Sequence, residues 1–242
     1  MRPTLKVNTM NLKHSKSVLL GTSALVCFAL AAPVMADDFV ITSSDGSTNG
    51  VGTTNGGTAA AIADTAINGS DTVSLGIALT TNDNKGIEIT GGTNKVTVSE
   101  AGSITTAGSN ADGIHNEGAF NTTTVSGSIT TAGYSAYGIY NLGSTNTTTV
   151  SGSIRTGTGT YAYGINNRGD NNTTTVSGSI KTEGAGAHGI NNYGDNNKTT
   201  VSGTVKAAGA SSAALYNFKG DGNSFTLNEG ATIIGDILAA DA

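Results

Sequence analysis

The segment that decides the fold is Thr122–Ile129, which reads TTTVSGSI. It recurs almost letter for letter at Thr147–Ile154 and Thr173–Ile180, and again, beginning with lysine, at Lys198–Val205. Self-similarity at a fixed period of about 25 residues is typical of a repeat protein. We therefore expect one structural unit for each copy, with the units stacked along an axis.

Aliphatic residues recur at fixed places in each copy. The first column comprises Val73, Val98, Val125, Val150, Val176, Val201 and Leu227. The second column comprises Ile77, Ile104, Ile129, Ile154, Ile180, Val205 and Ile233. The third column comprises Ile87, Ile114, Ile139, Ile165, Ile190 and Leu215. Because neighbouring strands lie about 4.8 Å apart, these columns predict continuous aliphatic stacks inside the protein. Two extra residues between Val98 and Ile104 are expected to form a bulge at a corner.

Three short runs in each copy, separated by Gly, Asn and Asp, indicate strands joined by tight corners. Thr, Ser, Gly and Asn dominate the repeat, and these residues are poor choices for the interior of a helix. Strand alternation directs Val125 inward and directs Thr122 and Thr124 outward. We predict an all-β protein, a parallel β-helix of about seven coils with about 25 residues per coil, over residues 71–242.

A polar column accompanies the aliphatic ones. It comprises Asn116, Asn141, Asn167, Asn192 and Asn217. Stacked identical amides form hydrogen bonds from one strand to the next. Because aliphatic burial alone does not offset the entropy lost when the coils become ordered, we expect this column and the backbone hydrogen bonds to add stability.

Residues 1–36 have the organisation of a secretory signal peptide. Four basic residues precede an apolar run at 18–32, and the small residue Ala36 precedes an acidic start. We predict cleavage after Ala36 and export through the inner membrane, with the cell surface, the outer membrane, the exterior and the periplasm as candidate locations. Cys27 is the one cysteine and lies in this leader, so the mature chain has no disulfide and no thiolate metal site.

The mature chain is acidic. Removing the leader removes four of the 12 Lys and Arg residues and none of the 17 Asp and Glu residues, which leaves a formal net charge of −9. Nucleic acid is therefore not expected as a partner. Residues 37–70 differ from the repeat, with a predicted strand at Phe39–Thr42 and a predicted short helix at Thr58–Ile67. We expect an N-terminal cap with a flexible loop, because the ends of solenoids need cover.

The leader, the Ser/Thr/Asn/Gly-rich coils and the closing stretch Gly222–Ile237 resemble the passenger region of bacterial autotransporters. The resemblance covers about residues 70–238 and implies a right-handed parallel β-helix that reaches the cell surface through a C-terminal outer-membrane barrel. The sequence departs from the family because it contains no series of barrel strands with aromatic girdles. We expect a truncated passenger, a fragment of a longer reading frame or a free secreted solenoid. The expected partners are a surface ligand or neighbouring cell of unknown identity, and a missing C-terminal barrel.

No catalytic residue, metal or cofactor is predicted. His115 occupies a place that other copies fill with Tyr or Asn, and His188 occupies a place that other copies fill with Asp, Tyr or Ala. Both patterns predict variable outward or corner positions. Asp170, Asp195 and Asp221 recur at one place, but each lies in a Gly-Asp corner, where turn hydrogen bonding favours Asp.

A regular threonine array is the candidate binding face. It comprises Thr122, Thr124, Thr147, Thr149, Thr173 and Thr175. This array resembles the surface of ice-binding solenoids, although threonine is also favourable in any exposed strand. We expect a non-enzymatic exported scaffold that acts by adhesion or display, with an ice-binding solenoid and a polysaccharide-processing β-helix enzyme as alternatives.

Overall fold

The computed structural model describes residues 38–41, 48–49, 53–54, 72–81 and 85–239. The predicted signal peptide and the predicted helix at 58–67 lie outside these residues. Within them, the chain forms 24 β-strands and no helix. We number the strands β1 to β24 in chain order.

Three parallel sheets contain all but two of these strands. The first contains β1 (Asp38–Ile41), β4 (Thr72–Leu75), β7 (Lys95–Val98), β10 (Thr122–Val125), β13 (Thr147–Val150), β16 (Thr173–Val176), β19 (Lys198–Val201) and β22 (Ser224–Leu227). The second contains β5 (Ala78–Thr81), β8 (Ser103–Thr106), β11 (Ser128–Thr131), β14 (Ser153–Thr156), β17 (Ser179–Thr182), β20 (Thr204–Ala207) and β23 (Thr232–Ile234). The third contains β6 (Ile87–Ile89), β9 (Ile114–Asn116), β12 (Ile139–Asn141), β15 (Ile165–Asn167), β18 (Ile190–Asn192), β21 (Ala213–Asn217) and β24 (Asp236–Ala239). A short antiparallel pair contains β2 (Thr48–Asn49) and β3 (Thr53–Thr54).

Each coil contributes one strand to each of the three sheets. The protein is therefore a parallel β-solenoid of seven coils, counted from the coil that begins with β4 to the coil that ends with β24. The predicted fold class, an all-β parallel β-helix of about seven coils, is confirmed. Strand β1 lies where the sequence predicts a strand, and it extends the first sheet by pairing in parallel with β4.

Strand pairing brings equivalent repeat positions side by side. Val125 pairs with Val98 on one side and with Val150 on the other, and all three are fully buried. The fully buried residues of this column are Val98, Val125, Val150, Val176 and Val201, and those of the third sheet include Ile114, Ile139, Ile165 and Ile190. Such burial is worth about 1.5–3 kcal/mol for each aliphatic side chain, so these columns form the hydrophobic core.

The first coil has a different register from the predicted one. Leu75, and not Val73, pairs with Val98 in the first sheet. Leu79, and not Ile77, continues the second column. The prediction was wrong by two residues because Val73 and Leu75 both point inward, and a two-residue shift keeps every side chain on the same face.

The two extra residues between Val98 and Ile104 lie in the corner and leave the strands regular. They form a turn at Glu100 and Ala101. Strands β7 and β8, on either side of this turn, pair with the next coil without a register shift. The predicted bulge is therefore a longer corner.

The asparagine column lies inside the solenoid. Asn116 donates a hydrogen bond to Asn141 across 3.3 Å, and Asn192 donates to Asn217 across 3.1 Å. The inward side of the first sheet carries buried threonines beside this column, namely Thr123, Thr148, Thr174 and Thr199. Asn167 also donates to the hydroxyl of Thr174, 3.0 Å away. The core thus combines aliphatic stacks with one hydrogen-bonded polar stack.

A second asparagine column lines the corner that precedes the first sheet. It comprises Asn94, Asn121, Asn146, Asn172, Asn197 and Asn223. The Oδ1 atom of each of the last five accepts a hydrogen bond from the backbone N–H of its equivalent one coil earlier, across 2.6–2.8 Å. These side chains satisfy backbone groups that a tight corner leaves unpaired.

Apolar side chains of the last coil are exposed. Leu227 is 46% exposed, Ile237 is 51% exposed and Leu238 is 43% exposed. The equivalents of Leu227 and Ile237 one coil earlier, Val201 and Leu215, are fully buried between two coils.

Candidate functional site

A row of aromatic rings covers the outer side of the third sheet. Tyr137 and Tyr163 stack with their ring centroids 5.2 Å apart and their planes at 24°. His188 lies 5.0 Å from Tyr163 and 4.5 Å from Tyr216. Four successive coils therefore each contribute one ring to a continuous row, and the distance between neighbouring rings is close to the distance between neighbouring strands.

The repeat itself positions these rings. Tyr137, Tyr163 and His188 each directly precede a Gly-Ile pair whose isoleucine points into the core. Tyr216 belongs to strand β21, where it pairs with Asn191 of β18. The register of the third sheet therefore decides which rings meet, and the alternation of the strands keeps the rings outside the core.

The rings border a groove of about 470 Å³, which we call the aromatic groove. Its main lining residues are Tyr137, Tyr163, Asn166, Arg168, His188, Asn191, Tyr193, Tyr216 and Phe218. A concave surface with aromatic walls and a few convergent polar groups is the usual form of a ligand site.

His188 is neutral at neutral pH. Burial lowers the pKa of its imidazole to about 4, and its Nδ1 atom accepts a hydrogen bond from the backbone N–H of Ala213 across 2.9 Å. Burial also raises the pKa of Tyr137 to about 12 and raises the pKa of Tyr163. Tyr137, Tyr163 and His188 therefore carry no charge near pH 7.

The side chain of Arg168 lines the groove and carries a positive charge, and Lys219 lies at the edge of the groove. The guanidinium carbon of Arg168 lies 5.2 Å from the centroid of the Tyr193 ring, and the Lys219 ammonium lies 5.8 Å from it. Arg168 also donates a hydrogen bond to the hydroxyl of Tyr140 across 3.4 Å, which is the main cause of a raised pKa. Among the described residues, neither cation forms an ion pair with a carboxylate.

Two asparagines form the polar floor of the groove. Asn191 donates a hydrogen bond from Nδ2 to Oδ1 of Asn166 across 2.9 Å. The Oδ1 atom of Asn191 is buried and has no hydrogen-bond partner, and the whole residue is only 4% exposed. A buried polar atom without a hydrogen-bond partner costs free energy.

The two histidines lie at outward or corner positions but are buried there. Both side chains point away from the core, but His115 is 7% exposed and His188 is 8% exposed. Neighbouring coils bury them, since the ring of Tyr140 lies 5.0 Å from that of His115 and Tyr216 covers His188.

His115 belongs to a charged cluster at the other end of the third sheet. Its Nδ1 atom lies 2.7 Å from a carboxylate oxygen of Asp112, and its Nε2 atom lies 3.1 Å from Glu117. One ligand atom each from Glu88, His115 and Glu117 falls within 4.8 Å of the others, a spacing that suits a metal ion. Lys85 pairs with Glu88 and already supplies positive charge there. Burial raises the pKa of Asp112, and the hydrogen bond from His115 opposes this effect.

The threonine array lies on the outer face of the first sheet. Thr122, Thr147 and Thr173 are exposed, while Thr124, Thr149 and Thr175 are half-buried. Lys95 and Lys198 continue the row of the exposed threonines at its two ends. The array is therefore three coils long, with a cation at each end.

The stacked aspartates take part in corner hydrogen bonds. A carboxylate oxygen of Asp170 accepts a hydrogen bond from the backbone N–H of Asp195 across 2.8 Å. Asp195 accepts one from the N–H of Asp221 across 2.9 Å. These contacts agree with the interpretation of Gly-Asp as a corner motif.

Comparison with known proteins finds no family model, no curated protein and no solved structure that matches this chain. Over the part of the chain that the structure describes, no helix has the length and apolar character needed to cross a membrane. The candidate function therefore depends on the groove and on the sequence features already described.

Proposed function

We propose that this chain is a non-enzymatic, exported β-solenoid that acts in adhesion or display, and that its aromatic groove is the contact surface. The signal-peptide pattern at residues 1–36 supports export. The likeness to autotransporter passengers supports a right-handed coil and a final location at the cell surface. The partner is a surface ligand or a neighbouring cell.

The observation that carries this proposal is the clustering of rings on one side of a regular scaffold. Threonine, serine and asparagine fill most outward positions of the repeat, whereas Tyr137, Tyr163, His188 and Tyr216 form one continuous row. Aromatic residues are enriched at recognition surfaces because they offer a large contact area and a polar edge at low entropic cost.

Fractionation and binding of intact cells test this proposal. We expect added protease to remove the chain from the surface of intact cells, and we expect those cells to adhere less when the chain carries Tyr163→Ala. Thr105→Ala, an exposed position on the second sheet, is the matched control and should leave adhesion unchanged. Recovery of the whole mature chain as a soluble periplasmic protein, protected from protease, would overturn the proposal.

The threonine array supports a second candidate function, binding to ice. Three coils carry two threonine columns in register. A regular spacing of this kind is what a surface needs in order to match the ice lattice. This function predicts thermal hysteresis that disappears in the double variant Thr124→Lys and Thr149→Lys. Hysteresis that survives this change would exclude the array, and its absence from the unaltered chain would exclude the function.

A polysaccharide-processing enzyme is the other alternative. It requires acidic and basic groups arranged about a scissile bond, and the groove offers Arg168 and a neutral His188 as the nearest titratable groups besides its tyrosines. A screen for cleavage of acidic polysaccharides tests it directly. Release of unsaturated or reducing ends by the purified chain would establish catalysis.

A further inference from the structure

We propose that the aromatic groove binds an acidic saccharide chain that runs along the solenoid axis across the coils carrying Tyr137, Tyr163, His188 and Tyr216. The inference rests on the proposed function in taking the groove as the contact surface, and it adds the chemical class of the ligand.

The cations of the groove suit an anionic ligand group. Arg168 and Lys219 approach the ring of Tyr193, and within the described residues their positive charges have no carboxylate partner. They are positive charges in a mature chain with a formal net charge of −9, obtained by removing the four basic residues of the leader. A planar guanidinium binds carboxylate and sulfate groups with two parallel hydrogen bonds, so Arg168 is suited to the acidic group of a sugar.

The polar floor suits a ligand with hydroxyl groups. Asn191, whose Oδ1 atom is buried without a partner, lines the groove together with Asn166 and the hydroxyl-bearing ring of Tyr163. Hydroxyl groups can both donate to and accept from the amide and phenol groups of such a floor. A saccharide supplies such donors on every unit, with C–H faces that pack against the rings.

The spacing of the rings favours a polymer over a single sugar. Successive ring centroids are 5.2, 5.0 and 4.5 Å apart from Tyr137 to Tyr216, which is close to the length of one sugar unit in an extended chain. A peptide that binds by adding a strand needs a free sheet edge. Strand β15 beneath the groove already pairs with β12 and β18, so the floor offers no such edge.

Titration calorimetry of the full chain tests the inference with three acidic probes: oligogalacturonate, oligo-alginate and chondroitin sulfate fragments. Methyl-esterified oligogalacturonate is the neutral control, because it keeps the backbone and removes the charge. We expect at least one acidic probe to bind, with an affinity that falls as the salt concentration rises. If oligogalacturonate binds, its affinity should be at least about tenfold higher than that of the methyl-esterified control.

Two arginine variants show whether the groove is responsible. Arg168→Gln should weaken binding at least about tenfold, since it removes the charge opposite the acidic group. Arg155→Gln is the control, because Arg155 is exposed on the second sheet and pairs there with Glu183. Thermal melts of both variants exclude unfolding as the cause of any loss.

Equal binding of the acidic and esterified oligogalacturonates would overturn the acidic ligand, and so would equal losses in the two arginine variants. Binding of none of the three acidic probes, or equally tight binding of hexaglutamate, would overturn the saccharide class. Binding of an acidic probe by a chain that is absent from the cell surface would retain this inference and overturn adhesion.

Discussion

The side-chain amide of Asn141 donates a hydrogen bond to Oδ1 of Asn167, 2.9 Å away, inside the coil stack. Asn167 in turn donates to Asn192 across 2.9 Å. All three side chains are fully buried, so each amide depends on its neighbours for partners that water does not supply. The stack is stable as a continuous series, and one missing amide leaves partners unpaired on both sides.

Asn167→Ala should therefore destabilise the protein by about 2–4 kcal/mol, because the change removes the acceptor for Asn141 and leaves Asn192 without a donor. Urea unfolding measures this free energy. Thr173→Ala, an exposed substitution on the next strand, should change it by less than about 0.5 kcal/mol. Similar values for the two variants would show that the buried stack adds no stability.

Gly138→Ala should prevent the native stacking of the coils. A Cβ atom on Gly138 would lie 2.3 Å from Cγ2 of Ile154 and 2.5 Å from the carbonyl oxygen of Gly164. Overpacking of this kind costs about 1–3 kcal/mol or more, and a backbone oxygen does not move as easily as a side chain. Thermal unfolding should show a large fall in melting temperature.

Gly157→Ala is the matched control for that substitution. Its new Cβ atom would lie 3.4 Å from the nearest atom, the Cα atom of Ala132, and so would make an ordinary contact. We expect a melting temperature within a few degrees of that of the unaltered protein. An equal loss in both variants would mean that any added methyl group at a corner is harmful, whatever its contacts.

Phe120→Asn should stabilise the protein by about 0.5–1 kcal/mol. Phe120 has a φ angle of 60°, in the left-handed region that costs most L-residues about 1–2 kcal/mol and that Asn tolerates better. The same corner of later coils carries Asn171 and Asn196, with φ angles of 57° and 55°. The Phe120 side chain is 63% exposed, so little burial is lost. Chemical denaturation measures the gain, and a loss of stability would show that the ring makes a useful contact.

Stability should fall as the pH drops from about 6.5 to about 4, and His188 should account for part of that fall. In the folded protein the pKa of His188 is about 4, whereas that of an ordinary histidine is 6.5. As the pH falls, the unfolded chain therefore binds a proton before the folded protein does, and this stabilises the unfolded state relative to the folded one. Protonation would also break the hydrogen bond that Nδ1 accepts from Ala213. The expected loss is roughly 2–3 kcal/mol.

The pH dependence is measured as the difference in unfolding free energy between the unaltered protein and His188→Gln at pH 7 and at pH 4. Carboxylates titrate in both proteins, so their contribution cancels in the difference. The unaltered protein should lose more stability than the variant over this interval. Parallel pH profiles would show that the imidazole is not the group responsible.

The fold was predictable from sequence because a solenoid repeats its core. Residues such as Val125 and Val150 occupy equivalent places in neighbouring copies, and parallel stacking puts them side by side. The register of the first coil was not predictable in the same way. Val73 and Leu75 both satisfy the inward pattern, so side-chain parity alone does not choose between them.

The groove was harder to predict for a related reason. Alternation shows that Tyr216 and Asn191 point outward, but it does not show that the ring of Tyr216 also covers His188. The available signal was the recurrence of Tyr137, Tyr163 and His188 before Gly-Ile, which resembles ordinary variation at surface positions. Only the pairing of the coils turns these outward positions into a continuous row of rings.

Because the middle coils share one register, a whole coil could be added or removed without disturbing the strand pairing of its neighbours. Thr148 pairs with Thr123 on one side and with Thr174 on the other, and the neighbouring positions pair in the same way. Recombination between these nearly identical repeats would delete or duplicate a whole coil and rejoin matching surfaces. An error of a single residue would instead turn the aliphatic column outward. The length of the protein would thus change in steps of one coil. A step among the coils that carry Tyr137, Tyr163 and His188 would lengthen or shorten the row of rings by one position.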